Sequence, residues 1–253
     1  MNVYEKLKQK FAEREKILGT AMLFFDEPML VEKMKRDDLD FLLFDMEHSR
    51  FDQANLLPHL YMCRLLGLPS IVRVPDAEYH LIAKTVDMGA DGIMLPRTET
   101  LEQLRTAVDA ICFYPIGRKG NGGGAQFRRS ESFEEFQDGR FLIPQIESPK
   151  GIENLPEMLK NFGGRISGII VGPYDMSIMA GTPQDIYSDV MKSSIQKIID
   201  ICREHKKSAG VFCNDVADAA AYQKMGANIF WTGCDIGFYM DGFNLTFDAL
   251  SKL

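Results

Sequence analysis

No stretch of this sequence runs to the roughly 18 consecutive apolar residues that suggest a membrane-spanning helix. Its first residues, Met1-Asn-Val-Tyr-Glu-Lys-Leu-Lys8, are charged and amphipathic where a secretory leader would be apolar. Cysteine is sparse and odd in number: Cys63, Cys112, Cys202, Cys213 and Cys234, with no C-x-x-C pair. That argues against a disulfide framework or a structural zinc knot and leaves reduced thiols in a cytoplasmic protein as the expectation. Positive charge is in deficit, 29 Lys and Arg against 36 Asp and Glu, for a formal net charge of −7. Phosphate neutralisation wants a basic face, so nucleic acid is excluded as the main partner and a membrane is not expected. A small anionic substrate stays open, because a local Arg or a metal ion reverses the sign within one site. There is no low-complexity linker, and no Gly-Lys-Ser/Thr of a phosphate-binding loop.

What is present is an alternation. Eight short apolar runs recur: Ile17–Phe25, Phe41–Asp45, Ser70–Val74, Gly92–Pro96, Leu142–Glu147, Ser167–Val171, Ser208–Phe212 and Ile229–Thr232. Runs of this length, rich in Ile, Val, Leu and Phe, suit strands buried on both faces. Helical patterns fall between them at Ala77–Met88, Glu99–Ile111, Asn154–Asn161, Ile186–His205 and Val216–Met225, and Phe238–Lys252 follows the last run. Gly89 and Gly226 each stop a helix just before a strand. Eight strands, most followed by a helix, predict an α/β chain folded as a (β/α)8 TIM barrel, with residues 1–253 as one domain; a doubly wound sheet is the runner-up. One insertion, Phe113–Arg140, carries the cluster Gly117-Arg-Lys-Gly-Asn-Gly-Gly-Gly124. Gly120 to Ala125 formally fits a dinucleotide fingerprint, but it follows a helix and not a strand, so a flexible flap over the barrel rim is the preferred reading.

Barrel enzymes carry their chemistry at the carboxyl ends of the strands. The second run ends in Asp45-Met-Glu47-His48, the third in Arg73-Val-Pro75, the fifth in Gln145-Ile-Glu147, and the sixth is followed by Gly172-Pro-Tyr-Asp175. Charged groups at the ends of apolar strands are costly unless paired or ligated. Gln145 and Glu147, two apart on a strand, face the same side. Taken singly, Glu147 also suits a barrel salt bridge, Arg73 an internal ion pair and His48 a surface position. Asp87, late in a helix, opposes the helix dipole and so hints at a specific partner.

At these residues the sequence resembles the HpcH/HpaI aldolase family of metal-dependent (class II) pyruvate aldolases, over about residues 17–237. The matching blocks are Phe44-Asp-Met-Glu-His-Ser49, Val72-Arg-Val-Pro75, Asp87-Met-Gly-Ala-Asp-Gly-Ile-Met-Leu-Pro96, Tyr114-Pro-Ile-Gly-Arg-Lys-Gly120, Pro144-Gln-Ile-Glu147 and Ile170-Val-Gly-Pro-Tyr-Asp-Met-Ser177. The resemblance implies that Glu147 and Asp175 ligate a divalent metal and that Gln145 contacts substrate or a metal-bound water. It makes His48 the general base, with Asp87 raising its basicity and Asp45 close by. It sets Arg73 against the developing enolate oxygen and the backbone N–H groups around Gly172, Pro173 and Tyr174 on the pyruvate carboxylate. It further implies a homo-oligomer, trimer or hexamer, with an exchanged C-terminal helix at about 238–252, and a place in aromatic compound catabolism. Tyr174 departs from the small residue common in the family, and the insertion is richer in glycine than usual.

Cleaving a carbon–carbon bond next to pyruvate leaves an enolate, whose charge is held by a lysine imine or by a metal. None of the eight runs contains a lysine. Two carboxylates with substrate oxygens make a hard site suited to Mg²⁺, Mn²⁺ or Co²⁺. The expected reaction is reversible cleavage of a 4-hydroxy-2-oxoacid into pyruvate and an aldehyde through a metal-bound enolate. A CoA-thioester lyase of the citrate or malyl-CoA type is an alternative that the Arg118-Lys119 and Arg128-Arg129 pairs keep open. A non-catalytic ligand-binding barrel is the second alternative.

Overall fold

A computed structural model describes all of residues 1–253. Each apolar run becomes a strand: β1 (Ile17–Met22), β2 (Phe41–Asp45), β3 (Ser70–Arg73), β4 (Gly92–Leu95), β5 (Phe141–Ile146), β6 (Gly168–Val171), β7 (Ser208–Cys213) and β8 (Ile229–Cys234). The helices are α1 (Val3–Glu13), α2 (Met29–Met34), α3 (Leu56–Leu66), α4 (Tyr79–Asp87), α5 (Leu101–Ile111) and α6 (Phe133–Gly139), then α7 (Pro149–Phe162), α8 (Pro173–Met179), α9 (Asp189–Glu204), α10 (Val216–Met225) and α11 (Asp235–Leu250). The strands pair in chain order, all parallel, and β8 closes on β1, giving a (β/α)8 barrel. No helix is long and apolar enough to cross a membrane.

Period-two alternation divides the core. Inward residues such as Phe41, Leu43, Ile71, Ile143 and Ile229 fill the barrel, while outward ones pack under the surrounding helices. Helix α1 carries the capping box Asn2/Glu5 and buries Leu7 and Phe11. The Phe11 ring packs tilted against Phe141 at the start of β5, centroids 5.6 Å apart, and Ser208 Oγ donates to the Phe11 carbonyl at 2.8 Å. Helix α1 therefore sits against the amino-terminal end of the barrel. Both predicted glycine stops hold: Gly89 and Gly226 each have φ near +104°, a backbone that favours glycine.

Several boundaries differ from the sequence reading. Strand β1 ends at Met22, three residues early, because the buried Asp235 carboxylate takes the N–H groups of Leu23, Phe24 and Phe25 at 3.1, 3.0 and 2.7 Å. Helix α7 begins at Pro149 under a Ser148 cap; a proline in the first turn suits the missing N–H and is no break. Helices α1, α2, α6 and α8 were not anticipated.

The insertion is not a flap over the rim of its own barrel. It leaves the end of α5 and returns to the start of β5, so it lies at the amino-terminal end of the strands. Arg118 N donates to Asp109 O and Lys119 N to Cys112 O, both at 2.9 Å, which fold its first part back along α5. Phe113, Phe127, Phe133 and Phe136 form an aromatic cluster with centroids 5.0–6.2 Å apart. Arg128 pairs with Asp91 at 2.8 Å and Arg140 with Glu131 at 2.7 Å.

Candidate active site at the carboxyl-terminal rim

Strand register sets the first half of the site. Asp45 on β2 lies opposite Arg73 on β3, both facing inward. Arg73 donates Nε–H to Asp45 Oδ1 at 2.7 Å and Nη2–H to Oδ2 at 2.6 Å, a two-point ion pair with both residues almost wholly buried. The same carboxylate accepts the backbone N–H groups of Glu47 at 3.0 Å and His48 at 3.3 Å, and Ser49 Oγ donates to the Asp45 carbonyl. Asp45 thus fixes the guanidinium and shapes the turn that presents His48. The His48 ring is 59% exposed, open to a bound molecule.

Glu47 is a member of the site to which the sequence reading assigned no role. Its carboxylate lies 3.4 Å from Arg73 Nε, 3.1 Å from Arg97 Nε and 3.6 Å from His48 Nε2. Burial pushes its acidity to higher pH, and the charges of Arg73, His48 and Arg97 oppose that shift. The available signal was spacing: Asp45 and Glu47 are two apart and continue one face. Arg97 was missed as well, one residue beyond the Leu95-Pro96 end of the fourth apolar run. Its backbone N–H donates to Glu147 Oε2 at 2.9 Å, and its Nη2 to the Pro75 carbonyl at 2.7 Å.

Glu147 stands just past β5 and is 3% exposed. Gln145 Nε2 donates to its Oε1, and Gln145 Oε1 is buried with no hydrogen-bond partner. On the neighbouring strand the chain must pass close to this carboxylate. A Cβ on Gly172 would fall 2.1 Å from Glu147 Oε1 and 2.5 Å from Gln145 Nε2, so any side chain there must displace the ends of both. Asp175 follows in the first turn of α8, not on the strand itself. Burial pushes the Glu147 carboxyl up to about 8, and the nearby Asp175 and Glu47 charges add to the shift, against the Arg97 N–H bond and Arg73.

Glu47, His48, Arg97, Glu147 and Asp175 all line one cavity of about 410 Å³. Among its acids, Glu147 is reluctant to ionise and feels the charge of Asp175, and the buried Gln145 oxygen beside Glu147 lacks a partner. That donor set is all oxygen and hard, and it suits a divalent cation of the Mg²⁺ type. No three His, Cys, Asp or Glu side chains converge to cage an ion. The protein would supply two carboxylates and leave positions for other oxygens.

Two sequence candidates stand apart from this cluster. Asp87, at the end of α4, ion-pairs with the fully buried Lys119 amine of the insertion. That is the partner its unfavourable helix position hinted at. No bond joins Asp87 to His48 within one chain, because the carboxyl end of α4 returns to the opposite end of the barrel. Tyr174, 44% exposed, turns toward β7: its hydroxyl donates to Asn214 Oδ1 at 2.8 Å and its ring lies 6.3 Å from Phe212.

Comparison with known proteins identifies the family. The family model for HpcH/HpaI aldolase/citrate lyase matches residues 21–241. The chain is 32% identical to a 2-keto-3-deoxy-L-rhamnonate aldolase of Klebsiella pneumoniae, covering 79% of this chain and 76% of that one. It is 27% identical to a 5-keto-4-deoxy-D-glucarate aldolase of the same organism, covering 89% of each. Among solved structures, an HpcH/HpaI aldolase from Desulfitobacterium hafniense superposes with a TM-score of 0.89 at 22% identity, over 98% of this chain and 97% of that one, which supports the fold.

Proposed function

The chain belongs to the HpcH/HpaI aldolase/citrate lyase family and is a carbon–carbon lyase, and from that premise we propose that it reversibly cleaves a 4-hydroxy-2-oxoacid into pyruvate and an aldehyde, with a divalent metal held by Glu147 and Asp175. The observation that carries this reading is the pairing of those two acids beside Arg73, in one cavity with the exposed His48. Mg²⁺, Mn²⁺ or Co²⁺, when bound there, supplies Lewis acidity to the 2-oxo and carboxylate oxygens of the substrate.

The chain's own groups account for the remaining work. His48 accepts the proton of the 4-hydroxyl as the C3–C4 bond breaks, the general-base role. The bond's electrons move through C3 to the 2-oxo oxygen, and Arg73, held rigid by Asp45, presents fixed positive charge to that oxygen. A proton delivered to C3 then completes the pyruvate methyl group. Gln145 Oε1 accepts from substrate or a coordinated water. Unpaired N–H groups in the first turn of α8, after Gly172 and Pro173 and beginning at Tyr174, hold the substrate carboxylate.

Helix α11 exposes Phe238, Tyr239, Phe243 and Phe247, which favours a trimer or hexamer that exchanges this helix. Asp87 would raise the basicity of a His48 only by reaching one on a second copy.

A panel of 4-hydroxy-2-oxoacids, assayed for pyruvate with lactate dehydrogenase, tests the reading. Cleavage should stop in chelator and return with Mg²⁺, Mn²⁺ or Co²⁺. Full turnover in chelator would remove the metal from the mechanism, and no pyruvate from any member would overturn the substrate class.

A further inference from the structure

A second cavity, of about 220 Å³, opens at the amino-terminal end of the barrel, far from the carboxylate pair, between α1, the α6–β5 junction and the turn that leads into β7. Its floor is apolar, with Phe11, Phe141, Leu142 and Ile166. Its wall is cationic: Lys8, Arg165, Lys206 and Lys207 line it, and Asp138 is the sole acid among the lining residues. Asp138 meets Arg165 at 3.5 Å, while none of the three lysines forms an ion pair, and Lys207 Nζ donates to the Ile166 carbonyl at 3.0 Å. In a chain of net charge −7, so local an excess of unpaired cations marks a place that attracts an anion.

Two lining residues also carry polar atoms buried behind the cavity wall. Arg140, 7% exposed, satisfies both terminal nitrogens on Glu131 at 2.8 and 2.7 Å, but its Nε is buried without a partner. Gln137 Oε1 is buried and unpartnered as well. We infer that this cavity binds a small organic anion, a carboxylate or phosphate monoester with an apolar body, its charged end toward Lys206, Lys207 and Arg165 and its body on the Phe11–Phe141 floor. Such a ligand would bridge α1 to the entries of β5, β6 and β7 and hold the barrel's amino-terminal end closed.

Calorimetric titration of phenyl phosphate into chelator-treated protein tests this. One saturable site per chain is expected, weakening as salt rises and binding more tightly than inorganic phosphate. Lys206→Gln/Lys207→Gln should weaken it about tenfold or more, the scale of one charge-assisted bond, while Lys206→Arg/Lys207→Arg retains it. Glu147→Gln at the other rim should leave it unchanged, and pyruvate release by the double Gln variant should match the parent enzyme. The exposed single variant Lys206→Gln serves if the double variant does not fold. Absence of a saturable site, equal affinity in the Gln variants, or loss of binding in Glu147→Gln would overturn the proposal. Equal affinity for inorganic phosphate would overturn the role of the floor.

Discussion

Gly172 shows how one residue without a side chain holds a site open. Its missing Cβ leaves the space occupied by Glu147 Oε1, and a methyl group there would collide with a buried carboxylate and the Gln145 amide together. Gly172→Ala should leave the barrel folded but swing Glu147 away from Asp175. With the proposed metal between them, calorimetry should then show divalent metal binding weakened by about tenfold or more. Asp45 has the complementary role of a charge that positions another. Asp45→Asn removes the partner of a buried guanidinium, and breaking such a pair typically destabilises by about 3–5 kcal/mol. Chemical denaturation should show a loss on that scale, and kcat should fall more than KM rises because Arg73 loses its orientation. Most of this constellation was legible from spacing alone: Asp45, His48, Arg73, Gln145, Glu147 and Asp175 stood at or just past strand ends. Glu47 and Arg97 were harder to read. Glu47 shares a face with Asp45 but had no pairing visible in sequence, and the contribution of Arg97 to Glu147 is a backbone N–H, which no residue type reveals.

Among the elements, strands were easier to anticipate than helices, for a physical reason. A barrel strand is buried on both faces, so its apolar run is continuous whatever its neighbours do. Helices α2, α6 and α8 are only six or seven residues long, too short to display a 3.6-residue period. The insertion was misplaced because its glycine content drew more weight than its position; a segment joining a helix to the next strand belongs to the amino-terminal end of the barrel. Helix α11 was anticipated at 238–252 and spans Asp235–Leu250, yet its aromatic face is uncovered within one chain. Tyr239, Phe243 and Phe247 stack along it at 6.1 and 4.4 Å, one turn apart. An apolar stripe of this kind is normally covered by a partner surface. If α11 carries the proposed subunit contact, Phe243→Glu/Phe247→Glu should lower the mass toward that of a monomer in light scattering after gel filtration. An unchanged mass would place the subunit contact elsewhere.

Across the whole molecule the two ends of the barrel carry opposite local charge, acids around Glu147 at one and unpaired lysines around Lys207 at the other, in a chain that is acidic overall. The acidic end leaves a thermodynamic mark. Folding moves the Glu147 carboxyl from its ordinary 4.5 up to about 8, so the folded chain keeps a proton that the unfolded chain releases. Protons then favour the folded state. In metal-free protein this contribution is fully present below about pH 4.5 and is lost as pH rises through about 8, an effect on the order of a few kcal/mol. A divalent ion reverses the balance, because it binds the ionised pair and competes with the proton. Thermal unfolding in chelator should show the melting temperature falling from pH 5 to pH 8, once the titration of other groups is removed by comparison with Glu147→Gln. The same scan with saturating Mg²⁺ or Mn²⁺ should be flatter or rise, and metal uptake near pH 7 should release a proton, read as heats that vary with the buffer's ionisation enthalpy. Equal pH slopes for the parent protein and Glu147→Gln in chelator would show that this carboxyl does not hold its proton in the fold, and the electrostatic case for a cation between Glu147 and Asp175 would fall with it.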